Sequence, residues 1–280
     1  MNKLILTVLI FTLALPPAFA GNDGGQNKVR SFGDGDLEKY TYPSGSSHAG
    51  NDGLDRSSAY DRQDEQELKR YVIPYKAYEG TARRIIIPVT FNRRYTVPML
   101  LDTGAPGMHI SRSLAEKLGI FKRGGDKLWV TVGGIGGLIP AVYTIIDSVQ
   151  VGEARDNFVP TVVSPAISDD FEGLIGMDFM ANYSIRIDTG KHVVVLEELP
   201  PDPRMPGGHD ETWWRMTFQK FKSMRSSWKE YRKYLDTQKD DSKKLRQLKD
   251  FADTQYKEAQ DLYDRLWVYA SKNAVPNEWR

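Results

Sequence analysis

Between residues 71 and 199 apolar positions come in short runs broken by glycine, asparagine and proline. The runs predict strands over 84–91, 95–101, 128–132, 138–151, 157–163, 183–188 and 192–196. Asn92-Arg93-Arg94 and Asp188-Thr189-Gly190-Lys191 fall between consecutive runs and read as hairpin turns. Ser113 to Leu118 reads as one or two helical turns capped by Ser113. Many short strands with turn signals between them argue for an all-β barrel or sandwich. After the proline- and glycine-rich stretch 200–208 the period changes. Trp214, Phe221, Met224, Trp228, Tyr231 and Leu235 recur at helical spacing, and after a polar break at 236–242 so do Leu245, Leu248, Ala252, Gln255, Ala259, Leu262, Leu266 and Tyr269. This predicts two amphipathic helices forming an antiparallel hairpin with a coiled-coil-like seam, the stripe being the hairpin's own core. Trp213, Phe218, Tyr234, Tyr256, Tyr263 and Trp267 lie partly off the seam and need a cover: a second hairpin, the β domain or a protein partner.

The chain begins with a charged start, an apolar run over 4–15, Pro16-Pro17 and then Ala18-Phe19-Ala20. That pattern predicts a signal peptide over 1–20, cut before Gly21, and hence a secreted or periplasmic protein. The run is too short to span a bilayer, which takes about 20 residues, so no integral membrane segment is expected in the mature chain. Residues 21–70 are dominated by glycine, aspartate, asparagine, serine and arginine, which bury too little to offset chain entropy and predict a flexible leader. The expected organisation is therefore leader, β domain over 71–200, linker over 201–210 and helical hairpin over 211–275.

Composition narrows the chemistry. Among 280 residues, 38 Lys and Arg stand against 37 Asp and Glu, so the balance of +1 gives no reason to expect nucleic acid as a partner. Cysteine is absent, which removes thiolate metal sites and cysteine nucleophiles. The four histidines, His48, His109, His192 and His209, show no pairing at helical spacing, and neither a metal nor an organic cofactor is expected.

The most informative segment is Val97-Pro98-Met99-Leu100-Leu101-Asp102-Thr103-Gly104-Ala105, an apolar strand ending in a carboxylate, a small hydroxyl residue and a glycine that permits a sharp turn. Asp-Thr-Gly alone is a weak signal, since the chain carries it again at Asp188-Thr189-Gly190. The first copy is followed by Gly173-Leu174-Ile175-Gly176-Met177-Asp178-Phe179, an apolar pair closed by glycine. The second has no such partner downstream and reads as a hairpin turn. The pairing around Asp102 resembles the retropepsin-like aspartic proteases, most closely their single-lobed bacterial members, over roughly residues 85–198.

The resemblance implies a mainly β, closed retropepsin-like barrel with a Gly-rich flap, to which the C-terminal helical hairpin is foreign. It implies Asp102 as the catalytic aspartate, with Thr103 and Gly104 completing its loop. Ala105 would line the substrate site, and Gly134, Ile135, Gly136 and Gly137 would form the flap tip that closes over a peptide or protein substrate. Pro106-Gly107 departs from the family pattern. Amide hydrolysis by aspartates takes two carboxylates sharing a proton and a water. One lobe supplies one, so a homodimer joining two copies of Asp102 across a two-fold axis is expected. The competing class is a non-catalytic periplasmic module on the same fold, dimeric and peptide-binding or scaffolding, with the hairpin doing the recognition.

Overall fold

The protein is described here from a computed structural model over residues 68–280, apart from 135–136, 166–167, 201, 203 and 240–241. The expected signal peptide and nearly all of the leader lie outside the described residues. On β3 (Ala82–Phe91) the alternating Ile87, Val89 and Phe91 are buried, and Met99 of β4 (Tyr95–Leu101) packs with them. The turn between the strands holds Asn92 and Arg93 at φ of 49° and 58°. Two successive positive φ values are the signature of a turn whose twist suits a hairpin.

The other elements, in chain order, are β1 (Arg70–Pro74), β2 (Lys76–Glu79), β5 (Met108–Ser111), α1 (Arg112–Lys117), β6 (Leu128–Gly134), β7 (Gly137–Val151), β8 (Ala154–Ser164), β9 (Gly173–Ile175), α2 (Met177–Met180), β10 (Tyr183–Asp188), β11 (Val193–Glu198), α3 (Glu211–Asp236) and α4 (Lys243–Lys272). One sheet runs β2-β3-β4-β9-β5-β8-β7-β6 and a smaller one β1-β11-β10. The barrel is not strictly closed. Among the described residues, β3 meets β7 only at Thr90↔Gln150 and Phe91↔Val149, while β2 pairs only with β3 and β6 only with β7. The long β7 pairs with β8 along one edge and with two more strands along the other: its C-terminal end reaches β3, while its N-terminal end leaves with β6 as a two-stranded ribbon. α1 is capped by Ser111, whose hydroxyl accepts from Leu114 N, and not by Ser113, which lies inside the helix.

The two faces of the sheet have different covers. Met108, Ile110, Val142, Ile146, Val149, Val159 and Val163 point into the β core with Tyr71, Ile73, Val194 and Leu196 of the smaller sheet. On the other face Leu128, Ala141, Tyr143, Ile145, Phe158 and Val162 meet Trp214, Phe218 and Phe221 of α3 and Ala259, Leu262, Leu266 and Ala270 of α4. The helical stripe is therefore shared with the β domain over most of its length. Only Leu235, Leu245 and Ala252, with Trp228, Tyr231 and Leu248 around them, form a seam of the hairpin's own kind. The reason is that β6, β7 and β8 alternate apolar residues on both faces, and a sheet face of that composition must be buried against another layer.

Hydrogen bonds fix the position of the hairpin. Gln255 accepts from Trp129 N at 2.8 Å and donates to Lys127 O at 3.2 Å, and Arg265 donates to Ile145 O at 3.0 Å. The hairpin and the β domain belong to one compact unit. Of the off-seam aromatics, Phe218 is buried in this interface and Trp213 stacks on His209 with ring centroids 3.7 Å apart, whereas Tyr234 stays exposed. Asp210 and Ser242 cap α3 and α4, accepting from Trp213 N and Leu245 N. Among the described residues, no helix is long and apolar enough to cross a membrane.

Candidate active site

β4 delivers Asp102 to the edge of a crossing. Its backbone N–H donates to Ile175 O at 3.0 Å, continuing the parallel pairing Leu100↔Leu174 and Leu101↔Ile175. On its other side β9 pairs antiparallel with β5, His109↔Leu174 and Ile110↔Gly173. The three residues of β9 thus thread between the strand that enters the Asp102 loop and the strand that leaves it. Glycine at both ends makes this possible. A Cβ on Gly173 would stand 2.0 Å from His109 O, and one on Gly176 2.4 Å from Ala105 O.

The loop itself is tied at several points. Gly104 N donates to Asp102 Oδ1 at 2.9 Å, and Ala105 N to Asp102 O at 3.2 Å. The first amides of α2 then close the loop from outside: Met177 N donates to Ala105 O and Asp178 N to Pro106 O, both at 2.9 Å. Proline at 106 is accommodated because the loop uses its carbonyl, which proline retains, and not the N–H it lacks. Asp102 is left half-buried, Thr103 and Gly104 are exposed, and Ala105 is buried. Gly134 pairs with Gly137 at the end of the β6–β7 ribbon. Gly137 has a φ of 101°, a conformation that favours glycine. Ile135 and Gly136 of the expected flap tip lie outside the described residues.

Charged groups around the loop come from elements the sequence did not connect with it. Glu172, just before β9, accepts from the hydroxyls of Ser111 and, at 2.9 Å, Ser113, and lies 3.6 Å from Lys117 Nζ. Those hydroxyls, ahead of the lysine, hold its carboxyl below the ordinary glutamate value. Asp178 is pushed up by burial, against the pull of Lys220 from α3. His109 is pushed down, first by burial and then by Lys220, while Asp102 acts the other way. Lys220 crosses from the hairpin to Tyr143, with Nζ 4.4 Å from the ring centroid. Nothing in the local sequence around Lys220 marks it: it occupies an ordinary exposed helical position, and only the docking of α3 brings it here.

The second Asp-Thr-Gly forms the turn between β10 and β11, where Asp188 Oδ1 accepts from Gly190 N at 3.1 Å and Lys191 N at 2.9 Å. Among the described residues, no strand threads beside it.

Residues 87–179 match the family model described as aspartyl protease. The matched span runs from β3 to α2 and contains the whole arrangement of loop and threaded strand. Over that span the β domain is similar to the aspartyl proteases, and its single lobe with one such loop is retropepsin-like in fold. Among solved structures, the chain is similar to a retropepsin-like aspartic protease from Rickettsia conorii at 21% identity, covering 47% of this chain and 93% of that one with a TM-score of 0.36. It is also similar to EIAV protease complexed with the inhibitor HBY-793 (21% identity, 37% and 91% covered, TM-score 0.29). A third likeness is the retroviral protease-like domain of Ddi1 from Leishmania major (18% identity, 42% and 96% covered, TM-score 0.31). The comparison with curated proteins gave no match.

Proposed function

We propose that the protein is an exported aspartic endopeptidase whose active site forms when two copies bring their Asp102 carboxylates together. The observation that carries this reading is the Asp102 loop, in which a half-buried carboxylate is held by Gly104 N and the loop is pinned from behind by α2. Pinning of this kind holds the carboxylate in place without ordering cost at the moment of reaction. Two carboxylates about 3 Å apart cannot both ionise, so the pair retains one proton. The ionised member takes a proton from water as it attacks the amide carbon, and the protonated member donates to the carbonyl oxygen. Exposed Thr103 and Gly104 sit where a second loop would pack. Ala105 and the flap segment Gly134, Ile135, Gly136 and Gly137 complete the substrate site in this reading. The signal-like residues 1–20 support export, with Gly21 as the first residue of the mature protein.

The test is incubation of the mature protein with a diverse peptide library across pH 3 to 8, beside Asp102→Asn. Cleavage by the parent and none by the variant is the expected outcome. A second arm adds excess Asp102→Asn to the parent, which lowers activity by forming hybrid dimers. Activity strictly proportional to concentration, down to where sedimentation finds only monomer, would exclude the shared site. Binding of peptides by both proteins with cleavage by neither would make it a peptide-binding module on a protease fold.

A further inference from the structure

Strand pairing lines up one row of residues across the sheet: Leu100, Leu174, His109, Val162, Tyr143 and Leu128, each opposite the next on neighbouring strands. Residues paired in this way share a face, and alternation along β4 puts Asp102 on the side of Leu100. The row thus starts under the candidate catalytic carboxylate and runs toward the hairpin. Four strand spacings of about 4.8 Å separate Leu100 from Tyr143, or roughly 19 Å, which an extended peptide covers in about six residues. At the far end Tyr143 is buried against Phe221, and the Lys220 ammonium lies over its ring. Lys220 keeps part of its surface exposed while burial pulls its ammonium below the ordinary lysine range, and among the described residues it makes no salt bridge. His109, in the middle of the row, feels the charges of both Lys220 and Asp102.

Building on the protease reading, we infer that Lys220 is a specificity-determining residue, contributed by the helical hairpin, that takes the carboxylate of an acidic side chain several residues from the scissile bond. The chemistry on the row favours that class. Asp178 is the carboxylate whose charge acts on the lysine, yet the two form no salt bridge among the described residues, so the ammonium has room for another acceptor. An ammonium on the face of an aromatic ring keeps its N–H donors free on the side away from the ring. A glutamate or aspartate arriving along the row supplies the missing acceptor. A neutral side chain leaves the ammonium as it was, and a basic one is repelled. The hairpin then acts as one wall of the substrate site, which accounts for its docking on the β6–β8 face by specific hydrogen bonds.

The experiment uses the full mature chain and a set of short peptides, derived from one cleaved by the parent or from any that it binds, with Glu, Gln or Lys placed at each position in turn. Binding is measured on Asp102→Asn protein by fluorescence anisotropy, and cleavage on the active protein as kcat/KM. The expected result is a Glu-over-Gln preference of roughly fivefold at one position, the scale of a partly exposed ion pair, weakening as salt is raised. Lys220→Met removes the preference, Lys220→Arg keeps it, and Lys220→Glu turns it toward the Lys peptide. A Glu preference that survives Lys220→Met, or its absence in the parent despite binding, overturns the assignment and leaves the protease reading standing. Cleavage by neither protein with the preference intact in binding upholds Lys220 and removes the enzyme. No binding of any peptide overturns both.

Discussion

The chain carries Asp-Thr-Gly twice, and locally the two copies are alike. In each, the glycine N–H donates to the aspartate Oδ1, at 2.9 Å for Asp102 and 3.1 Å for Asp188. Everything beyond that local bond differs. Asp188 turns one strand into its neighbour, and its carboxylate is spent on the turn, accepting from Lys191 N as well. Asp102 ends a strand that has no hairpin partner after it; β9 lies beside it instead, and α2 holds its loop through Ala105 O and Pro106 O. The tripeptide therefore specifies a turn, and the threaded strand converts one of the two turns into a candidate site.

Substitution at the aspartates gives the widest expected separation. Asp102→Asn should lower peptidase activity by at least about a thousandfold, the scale of removing a member of a catalytic unit, with circular dichroism unchanged. Asp188→Asn keeps an acceptor at the same place and should stay within about twofold of the parent. Equal losses from both would erase the distinction. At the glycines the contrast moves to stability. Gly176→Ala puts a methyl 2.4 Å from Ala105 O and 2.5 Å from Gly107 O, both backbone atoms that cannot swing aside. A loss of about 3 kcal/mol or more in urea unfolding is expected. Gly190→Ala meets only Asp188 Oδ1 at 3.5 Å, an ordinary contact, and should change stability by less than about 0.5 kcal/mol.

The threonines sharpen the comparison further. Thr103→Ala should weaken the active assembly, raising the concentration needed for half-maximal specific activity by about tenfold, as expected for a lost inter-loop hydrogen bond. Thr189→Ala, on the exposed β10–β11 turn, should leave that concentration where it was. The smallest effect concerns the approach of β9 to β5. Glu172 is held below its ordinary value of 4.5 by the Ser111 and Ser113 hydroxyls and Lys117. A depressed carboxyl stabilises the fold above the unfolded-state value and loses that contribution as pH falls through the folded one. Glu172→Gln should therefore cost about 1 kcal/mol at neutral pH, the scale of a net hydrogen bond, and progressively less as pH falls below 4.5. A difference that does not shrink as pH falls would mean that packing, not charge, is what Glu172 supplies.

How much of this was legible in the sequence depends on length and on where the partners lie. The strands β3, β4, β6, β7, β8, β10 and β11 were visible because each has enough residues to show a period and most are joined to a neighbour by a readable turn. β1, β2 and β5, of four or five residues, were not, since their pairing is with strands far along the chain and leaves no local trace. β9 has three residues and shows no period at all; only the resemblance carried by Gly-Leu-Ile-Gly pointed to it. Ser111 and Ser113 are equivalent as sequence, which is why the expected cap at Ser113 lies two residues late: the capping hydroxyl is the one that faces Leu114 N, that of Ser111.

By itself the sequence determined the periods: alternation up to residue 198, helical spacing after 210, and a carboxylate delivered by an apolar strand to a glycine turn. Those follow from backbone geometry and side-chain burial within a few residues, so they are written locally. Tertiary structure alone decided which Asp-Thr-Gly gained a threaded strand, that the barrel stays partly open, and that the hairpin spends its apolar stripe on the β domain. It also brought Lys220 to the row that begins under Asp102. Each of these depends on what stands opposite a residue far along the chain, as Leu100 with Leu174 or Tyr143 with Phe221. A pairing of that range is settled by the total burial and hydrogen bonding of the folded chain, which no local window contains.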